Sequence, residues 1–283
     1  MRRNGFTLAE VMIATAAFAL AIIGLLQFIS LGMQMISRNF ATNHSHNDTR
    51  LAALRLFNDL HNSGSQFTLV NVTGTTYTDV VSTPANPTVV DTLTGLNMSQ
   101  TTNGVRFYKL LAGPCKLTST PTAASTVLDF DVPVTFGGLD SNDRLFIPVL
   151  GENFTITSVI PARTSTQTLS RKVTLDRKIN YNFVAPSATQ ITTGYFYRPV
   201  AYTVMGAQLR FHPYFQGTQK NVFLPIYYNI SSPTPFSMLN NDPKKLRISL
   251  EANDVKLDKL KLRSGATTYR TVINPLAQDL PIK

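Results

Sequence analysis

After its first ten residues, the N-terminal part of the chain is almost wholly apolar. From Val11 to Ser37 there is no Asp, Glu, Lys or Arg, and about 20 apolar residues are enough for a helix to cross a bilayer. This stretch therefore predicts a membrane-spanning helix. Arg2 and Arg3 precede it, and this positive charge favours a cytoplasmic N-terminus with the rest of the chain on the other side. A plain signal anchor is one interpretation of the pattern.

Beyond the apolar run, hydrophobic residues recur at helical spacing. The pattern is typical of a helix that packs one face on a core, and the residues expected to pack there are Leu51, Leu54, Phe57 and Leu60. Gly64 is a natural stop. The sequence predicts a single helix in two parts, a transmembrane part over 6–37 and an amphipathic continuation over 38–64.

From residue 65 to 283 the pattern changes to short alternating runs separated by Thr, Asn, Ser, Gly and Pro, which predicts strands and turns. Prolines within several runs indicate edge strands or bulges. The clearest unit is KKLRISLEANDVKLDKLKLR, a predicted hairpin with its turn at Asn253-Asp254 and a bulge at Asp258-Lys259. The expected fold class is α+β, with a long N-terminal helix packed on an antiparallel β-rich head.

Composition and charge add bounds to this picture. With 283 residues, 43% of them hydrophobic, the chain can bury a core of one domain or two small ones behind the anchor. A single cysteine, Cys115, excludes an internal disulfide. The formal charge of +10 resides in residues 171–283, which hold 16 Lys or Arg against 6 Asp or Glu. No compact Lys/Arg block occurs, so solvated surface is favoured over nucleic-acid binding.

Candidate chemistry in the head is sparse. Catalytic signatures such as G-x-S-x-G, S-x-x-K, H-E-x-x-H and the P-loop are absent from the sequence, so no enzymatic activity and no cofactor are predicted. One acidic region is a weak candidate for calcium, which takes several carboxylate oxygens. Its residues are Asp129, Asp131, Asp140 and Asp143, with Glu152 nearby. The DSND stretch is equally typical of a turn.

Aromatic residues accompany arginines in GYFYRPVAY and RFHPYFQ. Such a pattern can stack on single-stranded DNA. Aromatic residues that alternate along strands are more often core or interface residues, and that is the favoured interpretation here.

Glu10 is a carboxylate at the head of the apolar run, and its sequence neighbours offer no cation to pair with it. The stretch Gly5-Phe6-Thr7-Leu8-Ala9-Glu10-Val11, after a short basic leader, resembles the class III signal of type IV prepilins and pseudopilins. The resemblance implies that a prepilin peptidase removes residues 1–5, cutting between Gly5 and Phe6, and methylates the new N-terminus. It also implies that Glu10 faces the N-terminal amine of a neighbouring subunit during assembly.

The segment RLFNDLHNSG resembles the Leu-x-x-Asp-Leu segment that ends the helix of larger minor pilins and J-type pseudopilins. The resemblance implies a non-enzymatic subunit that initiates or caps a filament, with a periplasmic head and an inner-membrane anchor. Its partners would be other pilin subunits, the prepilin peptidase, the assembly platform and membrane lipid. Secretion, pilus and competence systems remain open, as do two alternatives, a DNA-binding competence pilin and a membrane-anchored extracytoplasmic protein of unrelated activity.

Overall fold

The structure, a computed structural model, describes residues 7–64, 66–80, 89–133, 138–161, 168–180, 192–228, 230–252 and 267–273. The leader 1–5, the predicted cleavage position at Gly5-Phe6, the turn at Asn253-Asp254 and the bulge at Asp258-Lys259 lie outside these residues.

One long helix, thirteen strands and a 3₁₀ turn make up the described fold. The helix α1 spans Leu8–His61 and the 3₁₀ turn spans Gly217–Asn221. The strands are β1 Thr68–Thr73, β2 Thr76–Val80, β3 Gly104–Leu117, β4 Val127–Pro133, β5 Arg144–Ile147, β6 Glu152–Pro161, β7 Thr168–Leu175, β8 Thr193–Met205, β9 Gln208–His212, β10 Leu224–Tyr228, β11 Phe236–Met238, β12 Leu246–Ala252 and β13 Thr267–Ile273.

Two long strands, β3 and β8, organise the head. The end of β3 pairs with β4 and the first half of β8 pairs with β5, and strands β7 and β6 lie between β4 and β5. Because β3 also pairs directly with β8, these six antiparallel strands close into a barrel. The start of β3 and the end of β8 continue into an open sheet, with β1 and β2 on the β3 side and β9 and β10 on the β8 side. Strands β11, β12 and β13 form a separate antiparallel sheet. The coarse α+β prediction, a long helix with an antiparallel β-rich head, is therefore confirmed.

The head contains two principal hydrophobic clusters. One joins α1 to the open sheet and the three-stranded sheet, and its buried members include Leu56, Phe107 and Ile248. The other fills the barrel with side chains such as Phe130 and Phe154. The two clusters share no residue, so the helix is held by the first and the barrel is packed independently of it.

Proline positions follow the predicted rule in β10 and break it in β8. Strand β10 lies at an edge of the sheet, and its pairing register shifts between Pro225 and Tyr227. Strand β8 is an interior strand that contains Pro199. On one edge of β8 this proline lies after the residues that pair with β5 and before those that pair with β9, so its missing N–H interrupts neither of these two ladders. On the other edge it lies opposite Tyr108 of β3.

Candidate functional site: the N-terminal helix and its attachment to the head

The first part of α1 exposes its apolar side chains. The stretch Leu8–Ser37 is 30 residues long, none of it is buried, and it is long and apolar enough to cross a membrane. The whole helix has 54 residues, which is about 80 Å at roughly 1.5 Å per residue. The helix thus joins an uncovered apolar segment to a segment that packs on the head.

Glu10 forms hydrogen bonds with Thr7 of its own chain, a contact that the search for a cationic partner does not reveal. The Thr7 backbone N–H donates to Glu10 Oε2 at 2.9 Å, and the Glu10 backbone N–H donates to Thr7 Oγ1 at 3.3 Å. This reciprocal pair is a capping box, which satisfies helix N–H groups that would otherwise lack acceptors. The sequence signal was present as Thr-Leu-Ala-Glu, with threonine at the N-cap and glutamate three residues later.

The face of α1 that packs on the head differs from the predicted one. Leu60 is fully buried and Phe57 packs against the same cluster, but Leu51 and Leu54 are 56% and 42% exposed. Their places in the core are taken by Ala52, Ala53 and Leu56. Small residues let the helix backbone approach the sheets closely, so the packed face runs along the alanines rather than along the larger leucines.

Asp59 attaches the end of the helix to the open sheet. Its Oδ2 accepts from the Tyr202 hydroxyl at 2.6 Å, and its Oδ1 accepts from Lys109 Nζ at 2.7 Å. Burial, followed by the adjacent Asp59 carboxylate, raises the pKa of Tyr202 above its usual range, so this hydroxyl keeps its proton and donates. Asp59 is the aspartate of the segment RLFNDLHNSG, whose attachment role the sequence did not indicate.

The chain leaves the helix through a tight passage. Asn62 caps the last turn, Gly64 N–H donates to the Tyr108 carbonyl at 2.9 Å, and Ser63 forms a bridge with Lys109 of β3. A Cβ placed on Gly64 would lie 1.9 Å from Cε1 of the buried Tyr197. The residue at position 64 is therefore limited to glycine by this close approach.

The acidic candidates do not form a metal site. Asp143 is buried and makes two 2.8 Å bonds with Arg198, from Nε to Oδ1 and from Nη2 to Oδ2. Asp140 contacts the same guanidinium at 3.3 Å and accepts from the Tyr214 hydroxyl. Among the described residues there is no group of three or more His, Cys, Asp or Glu that could hold a metal ion.

The remaining two candidates, Asp129 and Asp131, lie on β4 opposite Lys172 and Ser170 of β7.

Arg198, Asp143, Asp140 and Tyr214 form a cluster that ties the loop before β5 to the centre of β8. Burial is the largest influence on the pKa of Asp143 and raises it, while the bonds from Arg198 oppose this change. The cluster is a buried ion pair at the junction of barrel and sheet, which the sequence did not indicate because its partners are distant along the chain.

The aromatic stretches of the last third are mostly core. Phe196, Tyr197, Tyr202, Phe211 and Phe215 are all buried. Buried rings cannot stack on nucleic-acid bases, so these side chains give no platform for DNA.

Comparison of the chain with protein-family models, with curated proteins and with solved structures gives no match.

Proposed function

We propose that this chain is a minor pilin or pseudopilin, a non-enzymatic structural subunit at the initiation or tip position of a type IV pilus-like filament. The observation that carries the proposal is the continuous helix, which joins an uncovered apolar segment, Leu8–Ser37, to a head-packed end. Such a helix holds the subunit in a membrane before assembly. It then offers the same apolar surface to neighbouring subunits when the chain is extracted.

The class III signal motif supports the same proposal from the sequence. A cut between Gly5 and Phe6 would leave Thr7 as the second residue of the mature chain and would preserve the capping box with Glu10. The mature helix would then begin close to its charged N-terminal amine. In this proposal the Glu10 carboxylate both caps its own helix and attracts the amine of a neighbour.

Coexpression with a prepilin peptidase tests the proposal. The expected product begins at Phe6, as measured by mass spectrometry of the N-terminus. Gly5→Leu should leave the leader uncut, whereas Gly32→Leu, a glycine change within the apolar segment and far from the cleavage position, should be cut like the wild type. An intact Met1 in the presence of a peptidase that cleaves a reference prepilin would contradict the proposal and favour a membrane-anchored protein of unrelated activity.

A DNA-binding competence pilin makes a different prediction, salt-dependent retention of DNA by the head. The buried aromatic residues of β8 and β9, such as Phe196, Tyr202 and Phe211, cannot stack on bases. The structural-subunit proposal expects no such retention.

A further inference from the structure

The open sheet has two faces, and α1 covers one of them. Successive residues of a strand point to opposite faces, so Tyr202 and Ala201 of β8 lie on different sides. Tyr202 belongs to the cluster that packs on α1, whereas Ala201 belongs to a small separate cluster with Val70 of β1 and Phe215. The second face of the sheet is therefore covered by the part of the chain that carries Phe215.

This cover is the connection between β9 and β10, residues 213–223, which we call the strap. It includes the 3₁₀ turn Gly217–Asn221. Of the strap side chains that the structure describes, Phe215 alone is buried. Its backbone N–H donates to the Pro199 carbonyl of β8 at 2.8 Å, and its ring meets the Tyr77 ring edge-on, with 5.0 Å between the centroids. Phe215 thus anchors the first half of the strap on the sheet.

His212 supplies a polar anchor directly before the strap. Its side chain is fully buried. Nδ1 lies 2.7 Å from the Lys220 carbonyl, within the strap, and Nε2 lies 2.8 Å from Thr203 Oγ1 of β8. Because a carbonyl only accepts, Nδ1 carries the proton and the neutral ring accepts from the Thr203 hydroxyl at Nε2. One neutral imidazole therefore joins the second half of the strap to the sheet.

The surroundings of His212 oppose a positive charge on its ring. Burial lowers the pKa of His212 from 6.5, and the charge of Arg210 lowers it further, against backbone hydrogen bonds that raise it. A second cation, Lys220, lies in the strap, and the side chains of both cations stack on rings beside the imidazole. Within the described part of the chain, no carboxylate forms a hydrogen bond or an ion pair with the imidazole. The rings around it, with centroids 5.7, 5.5 and 5.9 Å away, are those of Tyr77, Phe215 and Phe223.

The first half of the strap is loosely packed. A cavity of about 120 Å³ lies between this part of the strap, at Tyr214, Gln216 and Gly217, and the loop 141–143 before β5. The Gln216 Oε1 atom is buried and has no hydrogen-bond partner among the described residues. Tyr214 holds this side of the strap by donating to Asp140 Oδ2 at 2.6 Å. Voids and unsatisfied acceptors weaken a packed state, so both lower the cost of opening the strap.

We propose that protonation of His212 opens the strap and exposes the second face of the open sheet while the rest of the head stays folded. The second proton enters at Nε2, where the neutral ring accepts from Thr203, and it leaves a buried charge beside two cations. Water reaches the charged ring when the strap lifts, so the protonated ring favours the open strap. Opening uncovers Val70, Ala201 and Phe215, and it requires neither leader cleavage nor filament assembly.

The direction of the pH dependence follows from the contrast between the two forms. When the strap opens, the pKa of His212 returns toward 6.5, so the open form binds the proton more tightly than the closed form. The strap is therefore closed above about pH 6.5, and its opening becomes more favourable as the pH falls below this value.

Thiol labelling beneath the strap tests the proposal. Ala201 is fully buried in the cluster with Phe215, so Ala201→Cys places a small thiol there, and dithiodipyridine reacts with thiols at acid pH. In the full-length chain in detergent, position 201 should be labelled several-fold faster at pH 5 than at pH 7, after division by the rate for a free cysteine peptide. Cys115, which is buried in the barrel, should stay unreactive at both pH values and so reports that the head remains folded.

Matched histidine variants assign the effect to one ring. His212→Asn can keep the donor to the Lys220 carbonyl without a titrating group, so the pH dependence of labelling should disappear. His61→Asn, in the last turn of α1, removes a different histidine and should preserve it.

Hydrogen exchange of the wild-type chain gives a second measurement that needs no substitution. After correction for intrinsic exchange rates, protection of the strap amides should fall several-fold between pH 7 and pH 5, while protection of the β12 amides should stay constant. Equal labelling of position 201 at the two pH values, the same acceleration in His212→Asn, or simultaneous labelling of Cys115 would overturn the proposal. So would strap and β12 amides that lose protection together, because this would indicate global unfolding.

Discussion

The Asp59 carboxylate accepts a 2.6 Å hydrogen bond from the Tyr202 hydroxyl and so joins the last turn of the N-terminal helix to the interior strand β8. Tyr202 is fully buried, and its hydroxyl depends on this acceptor. The same carboxylate holds Lys109 of β3. One side chain thus connects the helix with the two strands that organise the head.

Replacement of Asp59 should weaken the attachment of the helix. Asp59→Ala leaves a buried hydroxyl without an acceptor, which costs about 1–3 kcal/mol. Asp59→Asn should cost less, because its amide oxygen still accepts from Tyr202 while the pairing with Lys109 is lost. Urea unfolding of the detergent-solubilised chain measures the difference. In the double variant with Tyr202→Phe, the two losses should be less than additive, and strict additivity would show that the bond contributes nothing.

Gly64→Ala should destabilise the head by about 1–3 kcal/mol or more, since the added methyl group overlaps the Tyr197 ring and overpacking has this effect. The clash is at 1.9 Å with a fully buried side chain. Gly32→Ala is the matched control, because a Cβ there meets nothing within 4 Å. Thermal unfolding of both variants decides the matter, and an unchanged melting temperature for Gly64→Ala would mean that residues 62–64 do not take this path.

His212 should make stability depend on pH. Its Nδ1 lies 2.7 Å from the Lys220 carbonyl and must donate, so the neutral ring accepts from Thr203 Oγ1 at Nε2, 2.8 Å away. Burial is the main reason that its pKa is lowered from 6.5, with Arg210 adding to the effect. As the pH falls, His212 is therefore protonated in the unfolded chain before it is protonated in the folded chain. The stabilisation from neutral His212 is complete above about pH 6.5 and is lost as the pH falls below this value.

His212→Asn can preserve the donor to Lys220 without a titrating ring. The prediction is that its free energy of unfolding varies less between pH 7 and pH 5 than that of the wild type, even if the variant is less stable at pH 7. Parallel curves for the two proteins would exclude His212 as the source of the dependence.

Substitutions at Thr7 and Glu10 can distinguish two roles of Glu10, as a cap of its own helix and as a negative charge. Glu10→Gln can retain the capping box, since glutamine also serves at this position, but it removes the negative charge. Thr7→Ala removes the side-chain cap and keeps the charge. If Glu10 attracts the amine of a neighbour, Glu10→Gln should lower incorporation into filaments at equal membrane abundance while Thr7→Ala should not. The opposite ranking would assign Glu10 to its own helix alone.

The sequence was informative where structure depends on neighbouring residues. Periodicity indicated the helix, the alternating runs indicated most strands, and Gly64 marked the end of the helical segment. Leu51 and Leu54 show the limit of this information, because α1 has one apolar face that packs on the head and these two leucines point away from it. Periodicity detects both, but it does not say that the alanine side packs.

Contacts between residues that are distant along the chain could not be predicted from the sequence, for a related reason. Closure of the barrel requires the pairing of β3 with β8, and Arg198 meets Asp143 55 positions away. No local pattern encodes either contact. The Thr7–Glu10 cap, in contrast, is local, and the spacing of threonine and glutamate in Thr-Leu-Ala-Glu is enough to predict it.

The N-terminal mass of the chain recovered from sheared filaments tests the central claim most directly. Cells that carry a prepilin peptidase, an assembly platform and the other filament subunits would express the wild-type chain with Gly5→Leu as the control. We expect the filament fraction to contain the wild-type chain beginning at a methylated Phe6 and to exclude the control. Absence of the wild-type chain from filaments, or its recovery there with Met1 intact, would contradict the proposed role as a processed filament subunit.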